Sequence, residues 1–67
     1  MENEKEMKER MKQDRLYQIR QKIFSLEMDI VAFNVIGDNI KAEEAEGYLE
    51  LAKKAYEAIE AIKLQVI

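Results

Sequence analysis

Apolar residues recur at alternating spacings of three and four in two stretches of this sequence, and this repeat restricts the fold more than any other feature. The first stretch has the repeat at Leu16, Ile19, Ile23, Leu26, Ile30 and Phe33. The second has it at Ala45, Tyr48, Ala52, Ala55, Ile59, Ile62 and Val66. Such spacing places the side chains on one side of an α-helix and is typical of the seam of a left-handed coiled coil. The sequence therefore predicts two helices that pack along these seams.

The helical pattern is interrupted at Gly37-Asp38-Asn39. Glycine favours the left-handed conformation that ends a helix, while aspartate and asparagine favour turns and helix starts. We expect a first helix over about 4–36, a bend at 37–40 and a second helix over about 41–65. A connection this short returns the chain antiparallel to itself. The predicted fold class is all-α, an antiparallel two-helix hairpin with coiled-coil-like packing.

The first fifteen residues differ in kind from the rest, because ten of them are charged, five of each sign. Opposite charges lie four residues apart at Glu4/Lys8 and at Lys5/Glu9, a spacing that supports a solvated helix. We interpret residues 1–15 as a charged helical extension of a hairpin that comprises residues 16–67. Counting outward from the bend, Lys12 lies opposite Val66, and about ten residues extend beyond the second helix.

The first helix has a second apolar side, roughly opposite its seam, and one hairpin cannot cover both sides. At 67 residues without cysteine, the chain has too small a core for much stability of its own and no disulfide to compensate. We therefore expect a homodimeric four-helix bundle. The residues predicted to form the dimer interface are Phe24, Met28, Val31, Val35, Leu49 and Tyr56.

Composition argues against several functions. The chain has no histidine, so a carboxylate-bridged metal site of the helical-bundle kind lacks its usual imidazole ligands. We expect no cofactor, no metal and no enzymatic activity. The sequence has neither the apolar core of a signal peptide nor an apolar run long enough to span a membrane. We expect a cytoplasmic protein that does not interact with membranes.

Basic residues could form a stripe along the first helix that suits phosphate backbones. These residues are Lys8, Lys12, Arg15, Arg20 and Lys22. The alternative is that they flank the apolar seam and make ion pairs, and we favour it because acidic residues interrupt the stripe. The expected architecture resembles that of the Rop family of plasmid RNA-binding repressors, although no residue motif is shared. Nucleic acid is therefore an unfavoured partner.

Residues 25–29 have the sequence Ser-Leu-Glu-Met-Asp. This segment resembles the Ser-Gln-Glu-Leu-Asp signature of small two-helix aspartyl-phosphate phosphatases that act on sporulation response regulators. Leu26 replaces the glutamine that orients the attacking water in that family, and the segment lies on the first helix instead of the second. Since phosphoryl hydrolysis needs a polar group to position the water, these departures argue against that activity.

The function that we predict from the sequence is a small non-enzymatic interaction module of the bacterial or phage accessory type, which dimerises and binds or regulates another protein. Either the charged N-terminal segment or the acidic region around the bend could make that contact. Between residues 25 and 50 the only basic residue is Lys41, so this region suits a basic surface. The alternatives are a Rop-like nucleic-acid binder and an assembly subunit of a larger complex.

Overall fold

The computed structural model describes residues 3–63, and these residues form two α-helices that pack against each other. Helix α1 comprises Glu4–Val35 and helix α2 comprises Asn39–Glu60. The predicted all-α hairpin is thereby confirmed. The predicted seam position Val66 lies outside the described residues.

Both helices begin at a residue whose side chain caps the first turn. The Asn3 Oδ1 atom accepts a hydrogen bond from the Glu6 amide at 2.8 Å, and the Asp38 Oδ1 atom accepts one from the Lys41 amide at 3.1 Å. Each bond satisfies an amide that has no partner within its helix, which explains why helices start at these positions.

The end of α1 is a Schellman motif centred on Gly37. The Asp38 amide donates to the Phe33 carbonyl at 2.9 Å, and the Gly37 amide donates to the Asn34 carbonyl at 3.2 Å. This pattern requires a left-handed residue, and Gly37 has a φ of +76°. The connection between the helices comprises only residues 36–38, so it is shorter than the predicted bend at 37–40.

The predicted seam of α1 lies against α2. Leu16 and Leu26 are buried, with 4% and 8% of their surface exposed, and the other four predicted seam residues are half-buried. On α2 the buried residues are Ala42 and Ala45, whose small side chains let the helices approach closely near the bend. Among residues 3–63 no large side chain is completely buried. The core is therefore thin.

The seam of α2 differs from the prediction. It consists of the buried and half-buried residues Ala42, Ala45, Leu49, Ala52, Tyr56 and Ile59. The prediction is right at Ala45, Ala52 and Ile59, and it is wrong at Tyr48, Ala55 and Ile62, which are exposed. The three shared residues belong to two overlapping three-four repeats. The structure uses the repeat that includes Ala42, a small residue that is buried within the first turn of α2 after the three-residue connection.

Contacts at both ends of the hairpin give its register. The Lys41 Nζ atom lies 5.9 Å from the centre of the Phe33 ring, and the Lys12 Nζ atom donates to the Ile62 carbonyl at 3.0 Å. Lys12 therefore lies near Ile62, which is four residues before the predicted position Val66, and Val66 itself is outside the described residues. Each residue of α1 thus lies opposite a residue of α2 that is about one helical turn closer to the bend than predicted, as expected from the shorter connection. Since α1 has 32 residues and α2 has 22, the first turns of α1 extend past the end of α2.

The hairpin is long and thin, with extents of 52 × 19 × 9 Å. Its radius of gyration is 16.1 Å, whereas a compact domain of the same length has about 11 Å. Its accessible surface is 5615 Å², whereas a compact monomer of this mass exposes about 4,400 Å². A single copy thus exposes much more surface than a globular protein of its size.

Candidate interaction surfaces

A row of large apolar side chains lies on the side of α1 that faces away from α2. We call it the α1 outer stripe, and it consists of Tyr17, Phe24, Met28, Val31 and Val35. Each of these residues has between 57% and 80% of its surface exposed. With Gln21 included, the spacing alternates between four and three, so the stripe has the pattern of a second coiled-coil seam. Four of the six residues predicted to form the dimer interface lie here.

The other two residues predicted for the dimer interface, Leu49 and Tyr56, lie elsewhere. Both are half-buried in the seam of α2, where they pack on α1 of the same chain. Leu49 and Tyr56 lie in the seam because α2 packs on α1 through the repeat that includes Ala42. Their side chains therefore help to hold the hairpin together and are separate from the α1 outer stripe.

A second exposed apolar row lies on α2. We call it the α2 outer stripe, and it consists of Tyr48, Leu51, Ala55 and Ile62. The sequence reasoning assigned three of these residues to the seam and missed this surface. The signal that could have found it is Leu51, a large apolar residue that fits neither of the two repeats. Tyr48 and Ile62 line grooves between the helices, whereas Met28 and Val31 line a shallow depression on α1 alone. The two stripes are separate surfaces.

Three of the predicted basic stripe residues, Lys8, Lys12 and Arg15, line one groove together with Met11, Ile59 and Ile62. Two of the three make polar contacts within the chain. Lys8 Nζ lies 2.9 Å from Glu4 Oε1, and Lys12 Nζ is bonded to the Ile62 carbonyl. A cation at that place also interacts favourably with the C-terminal end of the α2 dipole.

The ion pair with Lys8 changes the acidity of Glu4. The hydrogen bond from Lys8, followed by the attraction of its charge, holds the pKa of the Glu4 carboxyl below its ordinary value. Both side chains are well exposed, so solvent screens this pair and its contribution to stability is small.

The other two residues of the predicted basic stripe, Arg20 and Lys22, lie on different sides of α1. Lys22 is seven residues after Arg15 and therefore lies on the same side of α1. Arg20 is five residues after Arg15, about 140° around the helix, and flanks the α1 outer stripe instead. The five residues predicted as a nucleic-acid stripe are thus divided between two sides of α1.

One edge of α2 is acidic. Glu43, Glu46 and Glu50 line a shallow depression with Lys53. Within residues 3–63 there is no group of histidine, cysteine or carboxylate side chains arranged to hold a metal ion. In the segment that resembles the phosphatase signature, Leu26 is a buried seam residue. Within residues 3–63, neither helix has the length and hydropathy needed to cross a bilayer.

Comparison of the chain with protein-family models, with curated proteins and with solved structures gives no match.

Proposed function

We propose that this protein is a non-enzymatic helical interaction module that associates with a second copy of itself and binds another protein. The observation that carries the proposal is the amount of apolar surface that one hairpin leaves exposed. Among residues 3–63, the two outer stripes together include most of the large apolar side chains that lie outside the seam.

The surface area supports association. The accessible surface exceeds that of a compact monomer of this mass by about 1,200 Å². A stable protein interface removes about 800 Å² from each partner. Soluble monomers rarely leave contiguous apolar patches of more than a few hundred Å² in water. An interface of that size would bring the exposed surface of 5615 Å² close to that of an ordinary folded protein.

The presence of two stripes supports a second partner. A two-fold dimer buries the same patch on both subunits, so it covers one stripe of each chain. The other stripe then remains available to a different protein, and the acidic edge of α2 favours a partner with a basic surface. The same surfaces would serve an assembly subunit of a larger complex, which is the case in which this partner is permanent.

The first test is the mass in solution. Light scattering at micromolar concentration is expected to give about twice the chain mass of 7.9 kDa. A folded monomer at this concentration would contradict the proposal of self-association.

The second test concerns the protein partner. The wild-type chain and its Leu51→Glu variant are immobilised and exposed to lysate of the native host. A partner that uses the α2 outer stripe is expected to bind the wild type and to be lost from the variant, since glutamate in an apolar interface leaves a charge unpaired. Equal recovery of all proteins by both chains would argue against this surface as the binding site.

A Rop-like nucleic-acid binder is the weaker proposal, because Lys8 and Lys12 already have polar partners within the chain. Its test is a salt titration of binding to RNA and DNA duplexes. Phosphate contacts predict an affinity that falls steeply as ionic strength rises and that is lost when Arg15 and Lys22 are both replaced by alanine.

A further inference from the structure

Two exposed stripes raise the question of which one the second copy covers. We infer that the second copy covers the α1 outer stripe, so that the two α1 helices lie side by side at the centre of the dimer and the two α2 helices lie outside. This inference rests on the proposed self-association and adds the surface through which it takes place.

The size of the stripes favours α1. The α1 outer stripe contains two aromatic side chains, a methionine and two valines, and its repeat is interrupted only by the uncharged Gln21. Aromatic side chains alone bury roughly 150–250 Å² each when they are fully covered. The α2 outer stripe includes Ala55, whose side chain adds little area. Apolar burial is thus greater when the α1 stripes meet.

The charges beside the α1 outer stripe permit this arrangement. The charged residues that flank the α1 outer stripe between Tyr17 and Val35 are Arg20 and Glu27, one of each sign. Two copies of this surface therefore carry little net charge against each other. On α2, Lys41 and Glu44 lie beside the outer stripe, also one of each sign, and the other five glutamates lie on another side of the helix. The charges therefore permit either stripe to pair with its copy, and the larger apolar area of the α1 outer stripe is what favours α1.

Two glutamate variants of matched exposure test the inference. Val31 on α1 and Leu51 on α2 have 63% and 61% of their surface exposed. Neither side chain belongs to the hairpin seam, so the two substitutions differ mainly in the stripe that they charge. Val31→Glu is expected to weaken dimerisation by about a hundredfold or more. Leu51→Glu is expected to leave the dissociation constant within about threefold of wild type.

Each pattern of masses has one meaning. A monomeric Val31→Glu variant and a dimeric Leu51→Glu variant support the inference. The reverse pattern, two dimeric variants, or two monomeric variants would overturn it, even though a dimeric wild type would leave the proposed self-association intact. A monomeric wild type would refute the proposed self-association itself.

Pyrene fluorescence from dimers that carry no added charge tests the inference independently, in case Val31→Glu does not fold. The chain has no cysteine, so a single introduced cysteine can be labelled with pyrene without side reactions. Ser25 is exposed and lies beside the α1 outer stripe, near the middle of its length, so the flexible linkers of two pyrene labels can bring the rings together across an interface between two α1 stripes. Labelled Ser25→Cys is expected to give excimer fluorescence. Lys54→Cys, on the side of α2 remote from α1, is expected to give none. Excimer from position 54 without excimer from position 25 would place α2 at the centre and overturn the inference.

Discussion

At the scale of single residues, the two glycines of this chain have opposite roles. Gly37 has a φ of +76° and ends α1, whereas Gly47 lies inside α2 with an ordinary helical conformation. Apart from its immediate surroundings in the chain, an added Cβ atom would meet no atom of the described residues within 4 Å at either position. The backbone conformation alone therefore decides what alanine does at each site.

We predict that Gly37→Ala lowers the free energy of unfolding by about 1 kcal/mol, because a non-glycine residue is strained in the left-handed region. Gly47→Ala is expected to raise it by about 0.5–1 kcal/mol, because alanine is a better helix former. Urea unfolding followed by circular dichroism, at one fixed chain concentration, measures both. Equal effects of the two substitutions would show that Gly37 does not need its left-handed conformation.

A second residue-scale prediction concerns Glu4 and Lys8. Replacing Lys8 with methionine is expected to raise the pKa of Glu4 towards its ordinary value of 4.5, since the hydrogen bond and the positive charge are both removed. Lys22→Met is the control, and it should leave the Glu4 pKa unchanged. Because the pKa is lowered in the folded chain, the pair stabilises the start of α1 above pH 4.5 and is lost as the pH falls through the lowered value. Carboxyl NMR titration measures the pKa, and an unchanged value in Lys8→Met would refute the ion pair in solution.

At the scale of helices, the contribution of a leucine to stability depends on whether it lies in the seam or on the exposed side of its helix. Leu26 on α1 has 8% of its surface exposed and packs against α2, while Leu51 on α2 is largely in water. A helix in this protein is therefore held by a narrow seam, and its outer side contributes little to the stability of the isolated hairpin.

Replacement of each leucine by alanine tests this division. Leu26→Ala is expected to reduce the free energy of unfolding by about 2–4 kcal/mol, through lost burial and the cavity left between the helices. Leu51→Ala is expected to change it by less than about 0.5 kcal/mol. Thermal unfolding at matched chain concentration gives both values. If Leu51→Ala proved the more damaging of the two, the assignment of the α2 seam would be wrong.

At the scale of the whole molecule, the two helices form a thin core, with four buried residues within the described range 3–63. A domain this short has little stability to spare. Self-association would add a second apolar layer along α1. The stability of the chain would then depend on how much of it is present in solution, as it does for obligate dimers.

This dependence is the whole-molecule prediction. A tenfold increase in chain concentration is expected to stabilise a dimer by about 1.4 kcal/mol and to raise the melting temperature by several degrees. In the Val31→Glu variant the melting temperature should not vary with concentration. A wild-type melting temperature that is constant over a hundredfold range of concentration would show that unfolding is not coupled to association.

The sequence by itself determined the two helices, their antiparallel connection and the seam of α1. These features depend on local physics: the spacing of Leu16 to Phe33 repeats along one helix, and Gly37 and Asp38 supply the helix end and the helix start through their own conformational preferences. It also determined that α1 has a second apolar side, since Phe24, Met28, Val31 and Val35 cannot lie on the seam of the same helix.

Only the tertiary structure decided which side of α2 faces α1. Ala45, Ala52 and Ile59 fit two repeats equally well, and the spacing of apolar residues cannot separate them. The choice depends on how far α2 is rotated about its axis, and the rotation in this structure buries Ala42 just after the three-residue connection. That rotation moved Leu49 and Tyr56 into the seam and turned Tyr48 and Ile62 outward. The α2 outer stripe exists for this reason, because a helix that turns one apolar side towards its partner must leave the other in water.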